Sequence, residues 1–177
     1  MVAGGLALYV NLHGAQGLLA DTSYAWGSPV ITGSPALTPP IGGTFTLAEA
    51  GAQQDFFVDN PVVRVRSTFQ ITKNVVDPFG ALIPGTQFSG TFSCRYGTDD
   101  PVTGNWTLTN GDTFIGPAVY LNSQCTVTEN DMGTAGLPDA SFDWAAPVVG
   151  DPVTVVPGGT ATITVTDTIE RQYGGLE

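Results

Sequence analysis

The chain consists largely of short runs in which apolar and polar residues alternate, and glycine and proline interrupt these runs throughout. Residues 124–129 and 160–168 are clear examples, both rich in Thr. Alternation with a period of two is typical of half-buried β-strands. The 177 residues include 23 Gly and 13 Pro, and no stretch keeps a helical period over several turns. The sequence therefore predicts an all-β protein.

The second part of the chain, residues 70–173, contains many such runs separated by turns. The Asn110-Gly111 pair is a clear turn, because both residue types tolerate positive φ. Short strands at this density predict a β-sandwich with Greek-key crossings. The predicted strands are residues 71–76, 87–96, 105–109, 113–115, 119–121, 124–129, 141–149, 152–156 and 160–168. The predicted core consists of Phe88, Phe92, Trp106, Val127, Phe142, Trp144, Ile163 and Val165.

An internal similarity relates the first part of the chain to the second. Residues 19–30 match residues 137–148 without a gap and share Leu, Asp, Ser, Trp, Pro and Val. Residues 63–68 further resemble residues 163–168. Such similarities are typical of tandem repeats, and the alternative is chance similarity between β sequences rich in Gly and Pro.

The repeat hypothesis divides the chain into three parts. Residues 1–69 are predicted to be the C-terminal half of a preceding related β repeat, or a small β domain. Residues 70–173 are predicted to form one whole repeat, and residues 174–177 a linker or the start of a next repeat. Half a sandwich exposes strand edges and an apolar face, so residues 1–69 must pack on something, and the sequence does not say what.

The charge balance excludes some partners. The formal net charge is −11, with five Lys and Arg residues in all. Binding to nucleic acid or to an anionic membrane surface needs a basic face, so neither partner is expected. Residues 2–10 are apolar but too short to span a bilayer and have no basic flank. We therefore expect no membrane insertion by this part of the protein.

Two cysteines, Cys94 and Cys125, each lie inside an alternating run. Neither has a CxxC neighbour, and one histidine, His13, cannot complete a zinc site with them. This favours a disulfide between adjacent or facing strands, and hence an oxidising, extracellular compartment; two unpaired buried thiols are the alternative. The sequence also has no DxDxDG calcium loop and no Gly-x-Ser-x-Gly elbow. We therefore expect no metal, no cofactor and no enzymatic turnover.

Three charged residues lie on three separate predicted strands. Lys73 is the only lysine in the sequence, Glu129 ends a central strand, and Asp167 lies near the end of the last strand. An ordinary cluster of ion pairs, or three side chains pointing separately into solvent, would account for them without any special chemistry.

The order of these motifs resembles the CnaB-type immunoglobulin-like domains of Gram-positive surface proteins. The resemblance covers residues 70–173 and is greater to the cysteine-containing version found in actinobacterial surface proteins. In that family the first strand carries a lysine, as at Lys73, and a central strand carries a glutamate, as at Glu129. The last strand ends in a motif such as Thr-Asp-Thr, as around Asp167. Cys94 and Cys125 match the pair of half-cystines of the actinobacterial version.

The resemblance implies an immunoglobulin-like sandwich with a spontaneous amide (isopeptide) bond from the Lys73 amine to the Asp167 carboxyl, assisted by Glu129. The commoner partner in the family is asparagine, so water would leave here instead of ammonia. Burial disfavours both charges, so a neutral amine would face a neutral acid. Fixed strands would supply the geometry for attack, and a reaction that happens once does not make the protein an enzyme.

The function that follows is that of a structural module in the stalk or fibre of a cell-surface adhesin or pilus-like protein. Its partners would be neighbouring repeats, or neighbouring chains of a filament, at the cell surface or cell wall. The alternative is a binding module of an adhesin, which would recognise a host protein or glycan through loops such as residues 96–103 and 130–138.

Overall fold

The computed structural model describes residues 19–28, 30–33 and 56–173. The chain divides into two compact units, Met1–Val65 and Arg66–Glu177. The division falls before Phe69 rather than after it, because Phe69 opens a strand of the second unit and is buried there. The repeat assignments of residues 1–69 and 70–173 remain predictions. Residues 174–177 and His13 lie outside the described residues.

The described part of the first unit consists of short antiparallel pairs. Its strands are β1 (Tyr24–Trp26), β2 (Val30–Gly33), β3 (Phe56–Asp59) and β4 (Val62–Arg64). β1 pairs with β4, and β2 pairs with β3. The Gly27 amide donates a hydrogen bond to the Pro61 carbonyl at 2.8 Å between the two pairs.

The second unit is a β-sandwich. Its strands are β5 (Arg66–Ser67), β6 (Phe69–Val76), β7 (Phe88–Arg95), β8 (Val102–Leu108), β9 (Thr113–Ile115), β10 (Val119–Tyr120), β11 (Gln124–Glu129), β12 (Phe142–Trp144), β13 (Val148–Val149), β14 (Val153–Thr154) and β15 (Ala161–Arg171). One sheet has the order β12-β15-β6-β9, with β13 also on β15, and the other has the order β14-β11-β7-β8. The predicted all-β, immunoglobulin-like Greek-key sandwich is confirmed.

The first and last long strands of this unit lie side by side. β6 and β15 run parallel, whereas every other described pairing is antiparallel. Every second residue of each strand is buried. The facing sheets meet through these residues, and the Phe69 ring of β6 lies edge-on to the Phe92 ring of β7 at 5.2 Å.

Most of the predicted core is buried, and two of its members are not. Phe142 and Trp144 are only half-buried because β12 is an edge strand, and no described strand pairs with its outer side. The single strand predicted over residues 141–149 is also wrong. The chain forms β12 and β13 instead, separated by a stretch that contains Pro147, which cannot donate to a ladder.

Candidate functional site

Lys73 lies in the middle of β6 with its side chain directed into the sandwich, where it is 0% exposed. The Asn110-Gly111 turn fixes this strand segment. The Lys73 amide donates to the Asp112 carbonyl at 3.1 Å, and the Gly111 amide donates to the Lys73 carbonyl at 2.9 Å. The Asn110 side-chain oxygen accepts a hydrogen bond from the Val75 amide at 2.8 Å. The lysine therefore projects from a backbone that is held on both sides.

Asp167 reaches the lysine from the neighbouring parallel strand. In the register of β6 and β15, Val165 lies opposite Lys73 and Asp167 follows two residues later. Because side chains alternate in a strand, Asp167 lies on the same inward face. Its Oδ2 atom is 2.7 Å from Lys73 Nζ, and the residue is 3% exposed.

Glu129 reaches the same ammonium group from the facing sheet. It is the last residue of β11 and lies opposite Gly90 of β7. Its Oε1 atom is 2.7 Å from Lys73 Nζ, and its side chain is 2% exposed. The site therefore brings together all three predicted residues, two from one sheet and one from the other.

The pocket alters the protonation of Glu129. Burial is the largest cause, and with hydrogen bonding to the Asp167 carboxyl it raises the pKa of Glu129 to about 7, despite the opposing effect of Lys73. Glu129 Oε2 and Asp167 Oδ1 are both buried, and neither oxygen accepts a hydrogen bond from a donor group of the protein. Because an ionised carboxylate only accepts, a proton on Glu129 supplies the donor that this pair needs.

An aromatic ring completes the pocket. The Phe88 ring of β7 lies 4.3 Å from Lys73 Nζ, and Phe88 is fully buried. The sequence predicts Phe88 as a core residue but not as a neighbour of the lysine, and it predicts the Asn110-Gly111 turn without its bond to β6. Both contacts depend on which strands are adjacent, and no local pattern encodes that.

The arrangement is chemically suited to joining an amine to a carboxyl. An amine nitrogen, a carboxyl acceptor and a second carboxyl that can carry a proton lie within hydrogen-bonding distance in a water-excluded space. Among the described residues, no group of three or more His, Cys, Asp or Glu side chains could hold a metal ion. No helix in the same residues is long and apolar enough to cross a membrane.

A disulfide joins β11, the strand that carries Glu129, to its neighbour β7. Cys94 of β7 and Cys125 of β11 lie directly opposite each other and are bonded, with a sequence separation of 31. No cysteine among the described residues is free. The bond fastens β11 to β7 at the end away from Glu129, so it stabilises the strand that presents the glutamate.

Solved structures with distant similarity to this chain include bacterial surface proteins. One is a Mobiluncus mulieris adhesin described as containing intramolecular disulfide, isopeptide and ester bond cross-links; the identity is 19%, the match covers 76% of this chain and 51% of that chain, and the TM-score is 0.38. The major pilin T3.2 of Streptococcus pyogenes is 11% identical over 85% of this chain and 62% of that chain, with a TM-score of 0.36. The S. pyogenes major pilin T-13 is 13% identical over 64% of this chain and 48% of that chain, with a TM-score of 0.33.

The match to these proteins is partial, since it spans about half of the adhesin's length. No curated protein sequence matches the chain. A family model described as a domain of unknown function, DUF5979, matches residues 69–170. This range runs from the start of β6 almost to the end of β15 and includes Lys73, Glu129 and Asp167. It covers more than half of the sequence, and the chain therefore belongs to the DUF5979 family.

Proposed function

We propose that the second unit is a structural module of a cell-surface stalk or fibre, closed by an amide bond between Lys73 and Asp167. The observation that carries the proposal is the buried lysine with both carboxyl groups at 2.7 Å from its Nζ atom. An ordinary buried ion pair needs one counter-charge, and a second buried carboxyl adds a desolvation cost. That second carboxyl has a use if it carries a proton during bond formation.

The chemistry balances without any external reagent. Lys73 passes a proton to the Asp167 carboxylate, which leaves a neutral amine beside a neutral acid. The Nζ atom attacks the carboxyl carbon and forms a tetrahedral adduct. Glu129 donates its proton to the departing hydroxyl and takes one from the nitrogen, so that one water leaves and Glu129 is regenerated.

The placement of the bond supports a mechanical role. Lys73 lies on the first long strand and Asp167 on the last. A pull on the two ends of the unit would pass through the amide and leave the strands between them without load. The Cys94–Cys125 disulfide would close a smaller loop inside the larger one, and its presence favours an oxidising, extracellular location. Neighbouring repeats, or chains of a filament, would then be the partners.

The intact mass of the purified protein, measured under reducing conditions, tests the proposal. We expect the wild type to be lighter than its sequence by one water, and Lys73→Ala, Asp167→Ala and Glu129→Ala to have their full masses. Asp167→Asn should lose ammonia instead, because the amide nitrogen becomes the leaving group. Glu170→Ala is the matched control, since Glu170 is an exposed acid on the same strand. A full wild-type mass would refute the amide and leave the three residues as an ion-pair cluster.

A further inference from the structure

From Lys73 onward, the edge of β6 that faces β9 is held by a turn and not by a strand. β9 pairs with β6 over residues 70–72. The amide and the carbonyl of Lys73 bond instead to the turn at residues 109–112, which precedes β9. Because the backbone groups of successive residues point to alternate edges of a strand, the next amide on this edge is that of Val75.

The side chain of Asn110 supplies the acceptor for that amide. Its Oδ1 atom accepts a hydrogen bond from the Val75 amide at 2.8 Å, a length within the usual range for bonds between the backbones of paired strands. The carboxamide oxygen therefore takes the place that a backbone carbonyl would have if the pairing with β9 continued. Asn110 itself is exposed, so this bond, rather than burial, ties it to β6.

The turn around Asn110 is closed by its own hydrogen bonds. The Asp112 amide donates to the Thr109 carbonyl at 3.1 Å, and the amide and hydroxyl of Thr109 donate to Asp112 Oδ2 at 3.2 Å and 2.5 Å. Gly111 has a φ of 86°, and Asn122 is the one residue other than glycine with a positive φ in the described part of the chain. The backbone of Asn110 therefore requires no special residue, and its particular contribution lies in its side chain.

Val75 lies between this turn and the carboxyl group that faces the lysine. In the register of β6 and β15, Val75 is directly opposite Asp167, whereas Lys73 lies two residues earlier, opposite Val165. The lysine side chain therefore crosses diagonally to bring Nζ to 2.7 Å from Asp167 Oδ2. The length of that diagonal depends on the position of β6 along β15. A bond that holds Val75 thus acts on the distance between the two groups.

We propose that Asn110 is a positioning residue for the Lys73–Asp167 amide, because its carboxamide oxygen fixes Val75 and with it the position of β6 along β15. The inference rests on the proposed amide and adds to it a residue that acts through the backbone rather than on the reacting atoms. Attack requires reacting atoms about 3–3.5 Å apart, and a misplacement of about 1 Å can slow a reaction about a hundredfold. A smaller displacement of β6 should therefore still slow amide formation measurably.

The rate at which the dehydrated mass appears during refolding of the full 177-residue protein tests the proposal. Asn110→Ala removes the acceptor and should slow amide formation by about tenfold. Asn110→Asp keeps an acceptor oxygen at the same place and should restore most of the wild-type rate. The rate is read after folding is complete, as followed by tryptophan fluorescence, so that slower folding is not mistaken for a slower reaction.

Asp139→Ala is the matched control. The Asp139 side chain also accepts a hydrogen bond from a backbone amide, that of Ser141, at 2.8 Å, and Asp139 is exposed as Asn110 is. This bond lies in the turn before β12 and involves neither β6 nor β11. Both alanine variants should lower the free energy of unfolding in urea, measured in a Glu129→Gln background in which no amide is expected. Asp139→Ala should nevertheless leave the rate of amide formation unchanged.

Hydrogen exchange at the Val75 amide measures the hold on β6 directly. In the Glu129→Gln background, exchange at Val75 should become faster with Asn110→Ala and remain slow with Asn110→Asp. Equal rates of amide formation for the wild type and Asn110→Ala, or equal slowing by Asn110→Ala and Asp139→Ala, would overturn this inference and leave the amide in place. A wild type that keeps its full mass would overturn the amide itself, and this inference with it.

Discussion

At the scale of single residues, the site depends on a glutamate that keeps its proton near neutral pH. Burial with the Asp167 carboxyl raises the pKa of Glu129 from 4.5 to about 7. Because this value lies near neutral pH, the protonation of Glu129 would make the proposed reaction sensitive to pH in this range.

The rate of amide formation should therefore fall as the pH rises through about 7. A raised pKa means that the protonated form is retained below that value and lost above it, and the ionised form cannot donate to the departing hydroxyl. The measurement is the appearance of the dehydrated mass after cell-free synthesis or refolding, followed at about pH 6 and about pH 8. Glu129→Gln should form no amide at either pH, and a wild-type rate that increases with pH would contradict the assigned role.

At the scale of secondary-structure elements, a glycine sets the distance between the strand that carries Glu129 and its neighbour. Gly90 of β7 lies opposite Glu129 of β11. A Cβ atom on Gly90 would overlap the Thr128 carbonyl oxygen and would lie 2.7 Å from the Trp106 ring. The Trp106 indole also donates to that carbonyl at 3.2 Å. The close packing of these three residues thus holds the end of β11.

Gly90→Ala should both destabilise the unit and slow amide formation. Overpacking of a tight core costs about 1–3 kcal/mol, and relief of the contact moves Thr128 and with it Glu129. Gly104→Ala is the matched control, because a Cβ there would meet the Phe92 ring at 2.6 Å, on β7 and not on β11. Urea unfolding should show a lower free energy of unfolding for both variants. The dehydrated mass should appear more slowly for Gly90→Ala alone. Equal slowing would contradict the role of Gly90 in positioning Glu129.

At the scale of the whole molecule, two nested cross-links would govern how the second unit behaves under tension. The proposed amide would close the loop from Lys73 to Asp167, and the Cys94–Cys125 disulfide lies inside that loop. Each closed loop also lowers the conformational entropy of the unfolded chain. This stabilises the folded unit by about 3–5 kcal/mol for loops of these lengths. The wild type should therefore unfold at a higher temperature than Glu129→Gln, which keeps the size of the pocket but lacks the carboxyl proton.

Single-molecule pulling on the ends of the unit should separate the two cross-links. In the wild type, the segment between Lys73 and Asp167 should not extend under force. Glu129→Gln should extend by about 200 Å with the disulfide intact and by about 300 Å after reduction, at about 3.4 Å per residue. An extension of the wild type comparable to that of Glu129→Gln would contradict the mechanical role.

Much of the second unit could be predicted from local sequence. The alternation in residues 160–168 and 124–129 specified strands because it follows the period of a pleated backbone. It also put each charged residue in phase with buried ones: Lys73 with Ile71, and Asp167 with Val165. The prediction failed where the environment decided the outcome, as for Phe142 and Trp144, whose apolar character does not tell that β12 lies at an edge.

The sequence by itself determined the all-β class, the phase that Lys73, Glu129 and Asp167 share with apolar residues of their own strands, and the presence of two cysteines on strands. Only the tertiary structure decided that β6 and β15 are parallel neighbours in the register that opposes Lys73 to Val165, and that β11 faces them. The physical reason is that local periodicity fixes the face of a strand but not its neighbours, while a shift of one residue in register would turn either side chain outward. Register is set by the packing of both sheets together.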